Sequence, residues 1–232
     1  MATAMSLLRE DLSGRQRGAI TAVCTDMWKP YLAAVATVLP QAEVVFDKFH
    51  VLQHASAALD EVRRHEFFRA GPVMRAHGRG KRWLLLRRWK TVRGSKRAEL
   101  QALFAANRRL FKAHVLREQL DRLWTYKTRP GVLNFLMGWF KALRWQRLAE
   151  MERLGDFLLR HINGIAAYCD HPVRFGVVES VNTTIKAVLR RARGMRDDAM
   201  LLLKLKWATA HPIRSARDLM RFLTIQPVYS NR

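Results

Sequence analysis

Residues 19–47 read AITAVCTDMWKPYLAAVATVLPQAEVVFD, and this stretch decides the fold. Ala19–Cys24 is a short apolar run suited to a buried strand, closed by Asp26. Pro30 sits where a first helical turn tolerates proline. Tyr31, Ala34, Val35, Val38 and Leu39 follow at helical spacing, and Pro40 ends the helix. Glu43–Phe46 is a second strand candidate, closed by Asp47. A strand, a helix and a strand joined by so short a crossover imply two parallel strands. Asp26 and Asp47 then lie at the carboxyl ends of both, the edge where open α/β sheets place their chemistry.

Outward from this unit, the first sixty residues or so read as helix, strand, helix, strand, helix, the last helix carrying Val51, Leu52, Ala55, Leu59 and Val62 on one face. From about Asp60 to Tyr168 the pattern changes to charged, helix-forming sequence. Lys81–Arg97 (KRWLLLRRWKTVRGSKR) holds eight basic residues, no acids and two tryptophans. Segments 98–126 and 132–168 have helical spacing, with Arg129-Pro130-Gly131 as a break between them. Past Pro172 another helix is expected from about Val177 to Arg193. Val178, Val181, Ile185, Val188, Leu189 and Ala192 fall on one of its faces. Glu179, Asn182, Lys186, Arg190 and Arg193 fall on another, so a lone carboxylate opens an otherwise basic stripe.

Charge narrows the partners. Forty-two Lys and Arg against nineteen Asp and Glu give +23 over 232 residues, with a pI near 11.3. Such an excess repels itself in a compact fold unless a polyanion balances it, and nucleic acid is the usual one. A membrane surface is the weaker competitor. Apolar runs such as Met200–Leu203 are far too short to span a bilayer. Met1–Glu10 lacks the apolar core of a signal peptide. Cys24 and Cys169 stand far apart without companions, so neither a disulfide framework nor a zinc knuckle is indicated, and a reducing cytoplasm is. An apolar fraction of 49% is ample for a buried core.

Taken singly, the candidate residues have ordinary explanations. Asp26 and Asp47 can be turn residues that start helices. His50 and His54, at i and i+4, can hold a metal but without a third ligand read as partly buried histidines. Glu179 at a helix start suits the macrodipole. The tryptophan-bearing basic run reads as a solvated face with snorkelling stems sooner than as a base-stacking platform.

Taken together they resemble a family. Asp26-Met27-Trp28-Lys29-Pro30-Tyr31 and Leu39-Pro40-Gln41-Ala42-Glu43-Val44-Val45-Phe46-Asp47-Lys48-Phe49-His50-Val51 are similar to the signature block of insertion-sequence DDE transposases of the ISL-three group. Glu179-Ser180-Val181-Asn182, with Lys186 and Arg191-Ala192-Arg193-Gly194, resembles that group's glutamate helix. Asn107-Arg108-Arg109-Leu110, Leu116-Arg117-Glu118 and Trp145-Gln146 fit the family pattern between them.

The resemblance implies a predominantly helical α/β fold, a partial RNase H-like core interrupted by an all-helical insertion. Residues 1–59 would be the second-Asp half of the core, 60–168 the insertion, and 169–232 the glutamate helix and carboxyl-terminal helices. Asp26 and Glu179 would be the second and third catalytic, metal-binding acids. Asp47 and His50 would form a structural or DNA-positioning motif. Lys81, Arg82, Arg87, Arg88, Lys90, Asn182, Lys186, Arg190 and Arg193 would bind DNA, at transposon ends and target sites. Hard carboxylate oxygens suit Mg²⁺ or Mn²⁺, and strand cleavage and transfer use two such ions about 3.5–4 Å apart. Self-association is among the family's partners; a small-molecule substrate is not, and the protein is expected in the cytoplasm, on the nucleoid. Two departures stand out. Ser180 replaces the usual Gly after the triad glutamate. The first triad Asp is expected to lie outside the chain, because Glu10 and Asp11 fall in a helix that precedes the second-acid strand. The chain is therefore expected to be truncated, marginally stable and inactive alone. The alternative is a non-catalytic basic DNA-binding module or transposition inhibitor.

Overall fold

A computed structural model describes residues 2–69, 71–172, 176–192 and 197–210. They fall into two compact units, Met1–Val173 and Arg174–Arg232. The fold is predominantly helical α/β, with two parallel strands.

The first unit opens with α1 (Ala2–Glu10) and α2 (Gly14–Ala19). Ser13 accepts the Gln16 amide, and the Gln16 side chain in turn accepts the Ser13 amide, a capping box. Helix α2 runs as far as Ala19, where the Ile20 amide donates back to the Arg17 carbonyl, so the apolar run expected as strand from Ala19 begins in a helix and β1 is Ala22–Thr25. Helix α3 (Lys29–Val38) starts with Pro30 in its first turn and stops before Pro40. Strand β2 (Glu43–Phe46) lies where its apolar run put it. It pairs with β1 in parallel, Ala22 opposite Glu43 through Thr25 opposite Phe46. Asp26 and Asp47 are thus the next residue beyond each strand.

Helix α4 (Lys48–Arg69) is the spine of the unit. The junction expected between residues 59 and 60 falls inside it. Val51, Ala55, Leu59 and Val62 are buried along one side, as the spacing required. Around it pack α5 (Gly71–Gly78), α6 (Arg82–Leu86), α7 (Ser95–Ala106), α8 (Arg108–Leu120), α9 (Arg129–Arg144), α10 (Ala149–Arg160) and α11 (Ile162–Ala166). Arg129-Pro130-Gly131 does not break a helix; it begins one. The Thr128 hydroxyl accepts the Gly131 amide and Pro130 fills the first turn, where its missing N–H is not needed. Arg129 then ties α9 to the sheet by donating to Glu43 at 2.6 Å and to Asp170 at 2.5 Å.

Two buried polar groups show how this helical body handles charge. The Glu66 carboxylate accepts from Asn107 at 3.0 Å, Arg109 at 2.8 Å and Arg69 at 2.9 Å. Burial pushes its pKa up, but those hydrogen bonds and the Arg69 charge outweigh burial and hold it below the ordinary value. His114 is 2% exposed, and its Nδ1 lies 3.1 Å from the Leu85 carbonyl. Burial lowers its pKa to about 4, against the pull of that carbonyl. The imidazole is accordingly neutral, with the Nδ1–H tautomer assigned from the hydrogen bond.

In the second unit, α12 (Gly176–Arg191) packs against α13 (Asp198–Ala210). Among the described residues no helix is long and apolar enough to cross a membrane.

Candidate functional site at the carboxyl end of the strands

The two aspartates close their strands in the same local way. Asp26 Oδ1 accepts the Trp28 amide at 3.0 Å, and Asp47 Oδ1 accepts the Phe49 amide at 2.7 Å. Such Asx turns follow from a short carboxylate reaching two residues on. The second oxygens differ. Asp47 Oδ2 meets His50 Nδ1 at 2.9 Å, so both of its oxygens are engaged in the first turn of α4. Asp26 faces a cavity of about 950 Å³.

That cavity gathers residues far apart in sequence: Asp26, Trp28 and Lys29 from the β1–α3 turn, His50 and His54 from α4, and Phe157, Arg160 and His161 from the end of α10. An aromatic wall runs along one side. The His54 ring is 4.2 Å from Phe157, Phe157 is 4.6 Å from His161, and His161 meets Phe46 edge-on at 5.2 Å. His161 Nδ1 is fixed by the Phe157 carbonyl at 2.8 Å. The wall stands close to the sheet because α11 carries Gly164 against Phe46. A Cβ at Gly164 would meet the Phe46 ring at 2.5 Å.

The electrostatics favour an anion. Asp26 is the one carboxylate lining the cavity, against the cations Lys29 and Arg160, neither of which has an ion-pair partner among the described residues. Burial, then the neighbouring His161 and His50, lower the pKa of His54. Burial, then Asp47, push the Cys24 thiol up to about 11, which removes it as a nucleophile at neutral pH.

Mg²⁺ takes oxygen ligands, several of them carboxylate or water. Among the described residues no three His, Cys, Asp or Glu side chains are grouped so as to hold a metal ion. The described donors alone therefore do not make a metal site, and His50 and His54 find no third ligand.

Of the basic residues expected at DNA, Lys81 pairs with Glu99 at 3.4 Å, Arg82 with Asp60 at 3.2 Å and Arg88 with Asp121 at 2.9 Å. Arg87 and Lys90 are exposed, as are Asn182, Lys186 and Arg190 on α12. Glu179 lies on the α12 backbone, but its side chain, like the whole of Arg193, lies outside the described residues. Sequence reasoning singled out Asp26 and the two α4 histidines but missed Lys29, Phe157, Arg160 and His161. Lys29 sits inside the quoted DMWKPY block. The others carry no local mark beyond a basic helix end.

The family model for DDE transposases of the ISL3 type, described as a transposase, matches residues 2–205. The transposase for insertion sequence element IS1001 of Bordetella parapertussis is 33% identical over 192 residues, 82% of this chain and 47% of that protein. The transposase for insertion sequence element IS1557 of Mycobacterium tuberculosis (strain ATCC 25618 / H37Rv) is 27% identical over 216 residues, 83% of this chain and 48% of that protein. The chain belongs to the ISL3-type family of insertion-sequence transposases. It spans about half the length of the curated relatives it matches. No solved structure matches it.

Proposed function

We propose that this chain is the part of a DDE transposase that seats a DNA phosphodiester beside Asp26. The observation that carries the reading is the cavity where Asp26 shares its walls with Lys29, Arg160 and the histidines, at the carboxyl end of two parallel strands. A phosphodiester is an anion, and two uncommitted cations with an apolar aromatic wall suit it; a single carboxylate at the edge suits the reacting side of the phosphate. Asp26 and Glu179 are the two catalytic acids this chain contributes, acting with a divalent metal such as Mg²⁺ or Mn²⁺ and with donors beyond the described residues. Asp47 is a positioning residue, holding His50 toward the cavity rather than meeting the reacting atoms. Asn182, Lys186 and Arg190 form a basic stripe that follows the backbone of transposon-end or target DNA, and the site of action is the nucleoid.

The test is Mg²⁺- or Mn²⁺-dependent nicking of a labelled insertion-end duplex at low salt, measured alongside binding. The chain is expected to bind duplex tightly and salt-sensitively, and any cleavage is expected to be lost in Asp26→Asn and Glu179→Ala. Asp26→Asn should bind a few-fold more tightly, because it removes a negative charge from the phosphate seat. Cleavage that persists in Asp26→Asn and Glu179→Ala, or an absence of binding at low salt, contradicts the reading. Binding with Asp26→Asn and Glu179→Ala both silent would leave the DNA-binding half standing and shift weight to a non-catalytic module.

A further inference from the structure

The strongest feature outside the cavity lies on α4 and α6. Trp83 and Phe68 are 71% and 77% exposed. Lone exposed aromatics are ordinary on a protein surface; these two are not placed as lone residues. An arginine guanidinium lies over each ring, Arg82 at 4.9 Å from the Trp83 centroid and Arg75 at 5.2 Å from that of Phe68. Trp83 is held out by a pinned element, since the adjacent Leu84 and Leu85 are buried in the core. Arg82 also bonds Asp60, which is 12% exposed and takes Arg63 at 2.8 Å and Arg64 at 3.9 Å as well. Asp60, Arg64 and Phe68 follow one another at four-residue steps along one face of α4. The rise of about 1.5 Å per residue puts Phe68 roughly 12 Å beyond the Asp60 level where Arg82 docks.

We propose that Trp83 and Phe68, with Arg64, Arg75 and Arg82, form a stacking platform for unpaired nucleotides of a nucleic-acid strand. It rests on the reading that the chain handles DNA and adds the state of that DNA. A flat ring backed by a guanidinium offers a π-face that any base can cover, provided the base is not already stacked in a duplex. The surrounding arginines supply the phosphate contacts. The acid at the patch, Asp60, is consumed by its three arginines and leaves the face positive, which favours a polyanionic strand over an apolar protein partner.

The experiment measures binding of the chain to a fluorescently labelled single-stranded oligonucleotide and to the matching duplex over a salt series. A second oligonucleotide, carrying 2-aminopurine, reports stacking. Trp83→Leu/Phe68→Leu is expected to weaken single-strand binding about tenfold or more, with duplex binding within twofold and the salt slope unchanged, because the phosphate contacts remain. The 2-aminopurine signal, quenched by the wild type, should recover. Trp83→Phe should restore most of both. Equal weakening for duplex and single strand, or no weakening of either, overturns the platform while leaving duplex binding by the chain intact. No binding to either form by the wild type overturns the platform together with the reading it rests on. Loss of self-association in Trp83→Leu/Phe68→Leu, read by sedimentation, with single-strand affinity unchanged, makes the patch a protein interface and overturns it as well. Both residues are surface-exposed, and an unchanged thermal midpoint confirms that the variants fold.

Discussion

The two ends of α4 treat charge in opposite ways. Toward its carboxyl end, Asp60 and Glu66 are buried, and each is surrounded by cations and amides that use up its oxygens. Toward its amino end, His50 and His54 face a cavity whose cations, Lys29 and Arg160, are not spent on any acid of the described residues. A buried carboxylate must be fully partnered to be tolerated, so the helical body spends the oxygens of both acids structurally. The cavity leaves positive charge uncommitted, and uncommitted charge is what can bind an anion. The net charge of +23 does not reveal this division, because it does not say which cations are paired with acids and which, like Lys29 and Arg160, are not.

The contrast can be broken first at Glu66. Glu66→Ala leaves Asn107 and Arg109 facing a buried gap and should cost about 2–4 kcal/mol, since the arginines partly reach solvent; a denaturant melt reads it. Duplex affinity at low salt, measured where the variant is folded, should stay within twofold. If Glu66→Ala instead leaves the midpoint unchanged, the carboxyl end of α4 is not held by charge.

His114 sharpens the same point through pH. Its folded pKa of about 4 lies below the ordinary value of 6.5, so the unfolded chain takes up the proton first. Stability from this group is whole above pH 6.5 and is lost progressively as pH falls toward 4, by at most about 3 kcal/mol. His114→Gln should be less stable than wild type at pH 7 yet lose less between pH 6.5 and 4.5 in paired denaturant melts. Glu66 adds a later loss, below the ordinary glutamate range, because its carboxyl is held protonation-resistant in the fold.

Gly164→Ala acts at the other end of the comparison. Its Cβ has no room against Phe46, so α11 must shift, at about 1–3 kcal/mol, and the Arg160–His161 wall moves with it. Weaker duplex binding at a temperature where the variant is folded is the expected result. Unaltered binding would separate the wall from the seat.

Much of the small sheet was legible because its signals are local. Alternation of apolar runs with prolines at 30 and 40 marks strand, helix and strand, and the two strands pair in parallel as the short crossover implied. The exact start of β1 was not, because α2, begun by the Ser13 capping box, runs into the apolar run as far as Ala19. Half of the cavity was illegible for a different reason. Phe157, Arg160 and His161 reach the cavity through the packing of α10 on α4 and of α11 on β2, more than a hundred residues downstream, and no spacing rule carries that information. The basic run Lys81–Arg97 misled in part. It reads as one solvated face, yet Leu84, Leu85 and Val92 are buried within it and four of its cations are paired, which leaves Trp83 displayed rather than snorkelling.

The most direct measurement is the salt dependence of duplex binding by Lys29→Ala/Arg160→Ala against wild type. Each lost phosphate contact lowers the slope of log affinity against log salt by about 0.9. The account predicts a slope smaller by about two, with affinity reduced at low salt and an unchanged melt. An unchanged slope and affinity would mean that the cavity beside Asp26 does not seat DNA phosphate.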